Sequence, residues 1–542
     1  MNKNNHPFYE WIPRPIGILV LLLMFIPPTF SGGAYLCNIN EMTGALGMMT
    51  EDIQLASFFT SIGMCLFPPF MVRFLKARRI KRTYIWCFLL LIPLCYICAT
   101  TTSLPVLLAA CLVTGFVRII VMLNCTFTIA PYLTGMDTLA MFTMTETPSP
   151  DVQYALERKR TFLMPVLYFF ILIISQASNM LIAWFAYHYQ WQDAYYVVIA
   201  MLIFAILLVT ISMPDEKKTK TYDIELAKVP SMLFMAIALC CMAYILVYGK
   251  TLDWHYSHYI RLATGILVFS VGAFLFLSFK AKTSSYLPLN VFTYRNVWMS
   301  MLLFLATMIF NSANNFAAAY AKLSTAINNL QSASLSGWAI IGCLIGLLLS
   351  VFLIAKRMKF KYIFFIAFLL MAASNAYLYF QYQTIGLFSN MKWVVIAHYS
   401  GLLILYSVVA AFGMKSLPSH QLATFVFLMI WMRNAIAPVV GTSVYSNWLN
   451  HRQQYYTTKL AQDVDNVNTL AYQSFSAMKR ASRAAGRNQL EADQLAITSI
   501  KARILKQSTI VAMKDITGQT VLLILGAAVL TLLLPYHKKE TT

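Results

Sequence analysis

Charge is scarce in this chain, and acid most of all. Its 542 residues include 20 Asp and Glu against 41 Lys and Arg; charged residues make up 11% and hydrophobic ones 59%. A soluble domain carries about 25% charged residues, so this chain has too little polar surface to cover a water-soluble particle. No carboxylate stands in the middle of a long apolar run; Glu41, Asp193 and Asp515 lie at or near run ends. The Gly-x-x-x-x-Gly-Lys phosphate loop, a His-x-x-x-His metal set and nucleophile motifs are missing too. These absences argue against an ATP-driven pump, a metalloenzyme or another membrane enzyme, and no cofactor or metal is expected. The ten cysteines lie in or beside apolar stretches without histidines at ligand spacing, so they read as small core residues rather than disulfides or ligands.

What the chain has instead is apolar runs of the length that crosses a bilayer. Fourteen are read as spans: 15–37, 52–75, 80–100, 104–130, 161–187, 193–213, 231–249, 258–280, 297–320, 334–355, 361–381, 393–414, 421–446 and 517–536. They must be helices, because backbone exposed to lipid needs internal hydrogen bonds. The expected class is therefore an all-α polytopic membrane protein. The run 16–37 is too long for a signal-peptide core and lacks an Ala-x-Ala site, so it counts as the first span. Prolines 27, 28, 68 and 69 predict kinks in spans 1 and 2.

The net charge of +21 sits mostly in short loops, which makes it a topology signal rather than a nucleic-acid surface. With the N-terminus in the cytoplasm, the short outward loops carry only Lys250, Lys322 and Lys392, and both termini fall inside. Residues 447–516 form one long polar outward segment. It has helix formers at 455–484 and 489–513 around Gly486-Arg487-Asn488. It reads either as a surface helical hairpin or as a docking surface for a partner outside the membrane.

One short pattern occurs twice. Residues 74–85 read Phe-Leu-Lys-Ala-Arg-Arg-Ile-Lys-Arg-Thr-Tyr-Ile, and residues 352–363 read Phe-Leu-Ile-Ala-Lys-Arg-Met-Lys-Phe-Lys-Tyr-Ile. Seven of the twelve positions are identical, and each copy joins two apolar runs. Repeated halves are a common build of secondary transporters.

The two basic turns fall between spans 2 and 3 and between spans 10 and 11. Those are equivalent places in two six-helix halves if spans 7 and 8 are an inserted pair. Thr251-Leu252-Asp253-Trp254 occupies the turn between the inserted spans. The stretch from Pro288 to Asn296 leads into span 9, and Trp191-Gln192-Asp193-Ala194-Tyr195-Tyr196 opens span 6. The last outward segment ends in Gln507 and Asp515 before span 14. In this order the motifs resemble the major facilitator superfamily, in particular its fourteen-helix drug:proton antiporter branch. The chain departs from the family pattern at several places. Ala77 and Ile80 stand at an acidic and a glycine position of the hinge motif, Cys111 at the arginine four residues before Gly115, and Ser31 at an acid in helix 1. The antiporter motif of helix 5 reads Ser178-Asn179-Met180-Leu181-Ile182-Ala183.

The resemblance implies three regions: a six-helix bundle over 1–213, a linker with the inserted pair over 214–296, and a second bundle over 297–542 that includes the loop 447–516. An ionisable group at mid-membrane is a site hypothesis by default, and Arg118 and Arg433 meet that test. Polar residues add Asn124, Gln176, Asn179, Asn311, Asn315 and His398, on spans that line the central cavity in the fold so implied. Two buried arginines without buried acids favour an anionic or neutral ligand. Arg78, Lys81, Arg82, Lys356, Arg357 and Lys359 are read as gating elements, or else as orientation signals that touch anionic lipid.

The function expected is a secondary transporter that exports amphiphilic, anionic or neutral small molecules by alternating access, with or without proton coupling. The alternatives are an organic-anion importer on the same fold and, in another class, a non-transporting receptor or membrane enzyme. The expected location is a bacterial inner membrane. The expected partners are the small-molecule substrate, the lipid bilayer and, by the resemblance, a periplasmic adaptor with an outer-membrane channel; nucleic acid is not among them.

Overall fold

The computed structural model describes residues 7–71, 73–74, 79–134, 150–215, 228–281, 286–325, 327–384, 386–415, 417–462, 464 and 469–533. Among them there are helices and no strands. In chain order the α-helices are α1 (Arg14–Phe30), α2 (Ile39–Leu46), α3 (Thr50–Leu66), α4 (Ile80–Thr100), α5 (Leu104–Thr134), α6 (Pro150–His188), α7 (Asp193–Ser212), α8 (Val229–Tyr248) and α9 (His258–Ala281). There follow α10 (Arg295–Ser312), α11 (Asn315–Thr325), α12 (Asn329–Ala355), α13 (Phe360–Gln381), α14 (Phe388–Met414), α15 (Ser419–Trp431), α16 (Ala437–Gln462), α17 (Thr469–Ala484) and α18 (Gln489–Leu533). Among the described residues thirteen segments are long and apolar enough to cross a membrane, and Pro15–Phe30 is a shorter apolar helix. The protein is a multi-pass helical membrane protein.

The first span is shorter than its apolar run. Pro27 and Pro28 lie inside α1 and remove backbone donors from its last turn. Ser31 closes the helix, its N–H bonded to the Pro27 carbonyl (3.0 Å) and its hydroxyl to the Pro28 carbonyl (2.9 Å). Gly33 then turns the chain with φ +75°, and a Cβ there would lie 2.6 Å from Thr60 Oγ1 and 2.8 Å from Cys111 Sγ. Only glycine suits that combination of backbone and crowding.

Among the early helices, α3 packs on α5, α4 on α5 and α7, and α1 on α5 and α7. Among the later ones, α14 packs on α10, α12 and α13, while α18 packs on α13 and α16. α6 crosses between the groups and lies against α12 and α14. α8 and α9 form a hairpin, and α8 reaches both α3 and α16. Position in the bundle sets burial. α14 is the most enclosed span, with 83% of its apolar window buried, against 22% for α9 at the periphery.

Within the segment 447–516 a helical hairpin turns at Gly486, and its arms adjoin helices that continue into the membrane. α16 runs on from the membrane to Gln462, and α18 begins at Gln489 and continues unbroken into the last span. At 1.5 Å per residue, the 45 residues of α18 extend about 68 Å, roughly twice a bilayer core. α17 packs along α18 through the Lys479–Asp493 ion pair of 2.5 Å. Gly486, at φ +82°, turns the chain between them.

The two basic turns lie at helix ends. Arg78 lies outside the described residues. Lys81 Nζ donates to the Thr210 carbonyl (3.1 Å), and Arg82 holds Asp215 through two bonds of 3.2 and 2.9 Å. Both partners sit at the end of α7, which packs on α4, so these bonds stay within the early group. Lys356 lies 4.5 Å above the ring of Phe352, one turn back on its own helix. Arg357 takes φ +53° to end α12, and the Lys359 carbonyl accepts the Tyr362 N–H (3.0 Å). Among the described residues of these two turns, the contacts found brace helix ends.

Candidate functional site

Two departures from regular helix shape the centre of the molecule. The apolar run 297–320 suggests one helix, but α10 stops at Ser312 and α11 starts at Asn315. Between them the backbone tightens to i+3 bonds: Ala313 N to Phe310 O at 3.2 Å, Asn314 N to Asn311 O at 3.1 Å and Phe316 N to Ala313 O at 3.0 Å. Three asparagines in five residues (311, 314 and 315) favour such a break, because short amide side chains compete with the helix for backbone groups. The second departure is a π-helical turn over Met432–Ile436, between α15 and α16. A π turn inserts one residue into a helix and re-aims its side chains; here it carries Arg433.

Both irregularities face the interior. Two adjoining cavities of about 500 and 730 Å³ share Thr29, Leu36, Ser57, Ser61, Arg118, Ser175, Asn315, Ala318 and Lys322 in their walls. We call the face where α1 begins and α18 ends the terminal face, and its opposite the distal face. The cavity reaches toward the distal side, where Leu36, Asn329 and Ser332 line it. Toward the terminal side the helices close on apolar contacts. Tyr286 donates its hydroxyl to the Leu66 carbonyl (2.8 Å), and its ring meets Phe70 and Phe427 at 5.9 and 5.7 Å.

The charged residues of the wall are all cations: Arg118, Lys322 and Arg433. Arg118 Nη2 donates to the Thr29 carbonyl (2.9 Å), while its Nε is buried without a partner. Arg433 Nε donates to Asn434 Oδ1 (2.9 Å), and the guanidinium lies 5.5 Å above the ring of Tyr168. Tyr168 of α6 in turn stacks on Tyr406 of α14, with centroids 5.8 Å apart and planes 10° apart. An arginine over a stacked pair of rings is held by cation–π attraction without a carboxylate. Among the residues lining either cavity there is no Asp or Glu. Among the described residues there is also no group of three metal-ligating side chains.

The structure sorts the expected site residues. Arg118, Gln176, Asn179 and Asn315 line the first cavity, and Arg118, Asn311, Asn315 and Arg433 the second. Gln176 Nε2 donates to the Tyr399 hydroxyl (3.2 Å), which ties α6 to α14 at the wall. The structure does not bring Asn124 and His398 into the walls of these two cavities. Asn124 lies six residues beyond Arg118, about 240° further round the helix, and is 1% exposed. His398 is fully enclosed in α14, with Nε2 3.0 Å from Asn311 Oδ1. Its neighbour Tyr399 is the one that reaches the cavity.

Sequence reasoning missed Lys322, which lines both cavities. Its place just past the apolar run suggested a loop charge. The restart of the helix at Asn315 carries α11 to Thr325 and keeps Lys322 on an ordered, inward-facing turn. Its Nζ donates to Asn329 Oδ1 (2.7 Å), and Asn329 Nδ2 donates to Glu41 Oε1. Tyr168 and Tyr406 carried no signal in the sequence, because aromatic residues are common throughout these spans.

No protein-family model matches the chain, and no curated protein does. Solved structures do. Tetrameric PepTSo2 is similar with a TM-score of 0.53 at 11% identity, over 96% of this chain and 98% of that one. The nucleoside transporter NupG is similar with a TM-score of 0.51 at 12% identity, over 95% of this chain and 99% of that one. FucP, a Major Facilitator Superfamily transporter solved in its outward conformation, is also similar, with a TM-score of 0.42 at 12% identity, over 92% and 99%. The first two likenesses span nearly whole chains and establish a shared fold.

Proposed function

We propose that this protein is a secondary transporter of the major facilitator kind, and that it carries small anionic or neutral amphiphiles by alternating access. One observation carries the reading: an interior cavity whose wall holds Arg118, Arg433 and Lys322 and no carboxylate. A cation enclosed by protein is costly unless something compensates its charge. Here a carbonyl and a neutral amide meet the arginines in place of an acid. A bound carboxylate or phosphate would supply the missing counter-charge, and guanidinium is well shaped to take either through paired hydrogen bonds. A cationic substrate would add to the repulsion.

The cavity lies where early and late helices meet, and the shared fold includes a nucleoside transporter. We place both termini in the cytoplasm on the distribution of loop charge, so the cavity faces outward. On this reading the two six-helix groups, 1–213 and 297–542, rock about the site, and the pair α8–α9 in 214–296 is an added strut. The test is transport in reconstituted vesicles with matched aromatic anions and cations, run in both directions, with and without a pH gradient. Anion movement that falls at least tenfold in Arg433→Ala and Arg118→Ala is expected. Net efflux assigns an exporter and net uptake an importer. Robust transport of cations alone would overturn the assignment.

A further inference from the structure

At the distal mouth three residues join the two groups of helices through one chain of bonds. Lys322 on α11 donates to Asn329 Oδ1 (2.7 Å), at the start of α12. The Asn329 amide nitrogen donates onward to Glu41 Oε1 on α2, in the early group. The other carboxylate oxygen of Glu41, Oε2, is buried without a partner. Lys322 therefore faces the cavity with one bond to a neutral amide, and that amide links it to the Glu41 carboxylate. Glu41 is itself under-satisfied. This is a weakly held charge pair beside the open end of a cavity whose deeper cations, Arg118 and Arg433, have no acid at all.

We infer that Lys322 is the first anion-binding residue of the pathway, and that Glu41 is its resident counter-ion, exchanged for the anion of an arriving substrate. The inference rests on the anion reading above and extends it to the mouth. Lys322 gains a direct charge partner when a carboxylate or phosphate enters. Asn329 is then released from Lys322, and its link to Glu41 between the helix groups loosens. Arrival of the anion and freedom of the mouth to move are thereby coupled, and an anion passes from Lys322 toward the two arginines. A cation meets Lys322 first and is turned back there.

The charge at the mouth can be read without knowing the substrate. Cys37 lines the same cavity and is half-buried. Full-length protein in detergent is labelled with an anionic and a cationic methanethiosulfonate reagent, and the rates at Cys37 are obtained by peptide mass spectrometry. Both reagents need the same thiolate, so their ratio reports local potential alone. Lys322→Met is expected to lower the anionic-to-cationic ratio by roughly tenfold, the effect of one nearby charge in a partly screened site. In a Glu41→Gln background the same change should lower the ratio further, because Lys322 is then unmasked. An equal drop in both backgrounds would show two independent charges and overturn the exchange. No drop in either would overturn the role of Lys322. Lys322→Gln and the reporter Ser332→Cys, on the same wall, repeat the measurement should Lys322→Met fail to elute as folded protein. Loss of anion transport in Arg433→Ala together with an unchanged ratio in Lys322→Met would leave the transporter reading standing without this one.

Discussion

Replacing Gly115 by alanine tests the packing that holds Arg118 in place. α3 and α5 cross so closely that a Cβ on Gly115 would lie 1.9 Å from the Thr60 carbonyl oxygen, and one on Gly63 would lie 2.1 Å from that of Leu112. Ordinary contact begins near 3.4 Å, so either methyl forces the helices apart by about 1–1.5 Å, a shift in the range where overpacking becomes severe. The obstacle is a helical carbonyl, which cannot swing aside as a side chain can. Alanine returns about 1 kcal/mol of helix propensity, against an overpacking cost of about 3 kcal/mol or more at a backbone contact. We expect a net loss of about 2 kcal/mol.

The same shift moves the cavity wall, since Arg118 follows Gly115 by one turn, and Ser57 and Ser61 line the cavity from the facing helix. Melting can be followed with a thiol-reactive dye, because ten free cysteines, most of them buried, become reactive on unfolding. Gly115→Ala and Gly63→Ala should melt well below wild type. The double variant should cost less than the two singles together, because one separation relieves both clashes. Gly265→Ala on the peripheral helix α9, with nothing within 4 Å of its added methyl, should be neutral or slightly stabilised. A Gly115→Ala protein that melts with Gly265→Ala and transports at the wild-type rate would refute the argument.

His398→Ala should lower stability by about 2 kcal/mol through an interior void yet leave the apparent KM for an anion within about twofold, since the side chain lies outside the cavity walls; a specific KM defect in a stable protein would return it to the site. Tyr168→Leu removes the ring beneath Arg433 and should weaken anion transport while Tyr168→Phe, which keeps the ring, restores most of it; equal defects would show that the hydroxyl, not the face, matters. On the terminal face, the hydrogen bond from Arg82 holds the Asp215 carboxyl below the usual carboxylate range. The stabilisation from that pair is present above about pH 4, the unfolded aspartate value, and is lost as pH falls through the lowered folded value. Asp215→Asn should therefore melt slightly below wild type at pH 7, with the gap closing in strong acid and at high salt. A gap that widens in acid would contradict the pairing.

Much of the site was legible because a charged residue inside an apolar run is conspicuous. Arg118 and Arg433 stood out that way, and both line the cavity. Gln176, Asn311 and Asn315 stood out as polar residues in the same setting. The reasoning failed where position along the chain was taken as position in space. His398 and Asn124 are as polar and as deep in their runs, but helical rotation turns them to other faces. Lys322 looked like a loop charge because a helix break two turns earlier could not be seen in composition. The basic turns repeat in sequence, but the partners of Lys81 and Arg82, Thr210 and Asp215, lie on and just after a helix whose neighbour in space only packing reveals.

Sequence alone determined that the chain lives in a bilayer, that it crosses as helices and where those crossings lie, because hydrocarbon admits nothing but long apolar segments with every backbone group bonded internally. It also determined that positive charge enters the membrane without acid to match. Tertiary structure decided which of those polar groups share a space. That choice depends on helix rotation, on the break after Ser312 and on the π turn at Arg433. Each is a balance of a few local hydrogen bonds against the packing of distant helices, and such a balance leaves no periodicity to read.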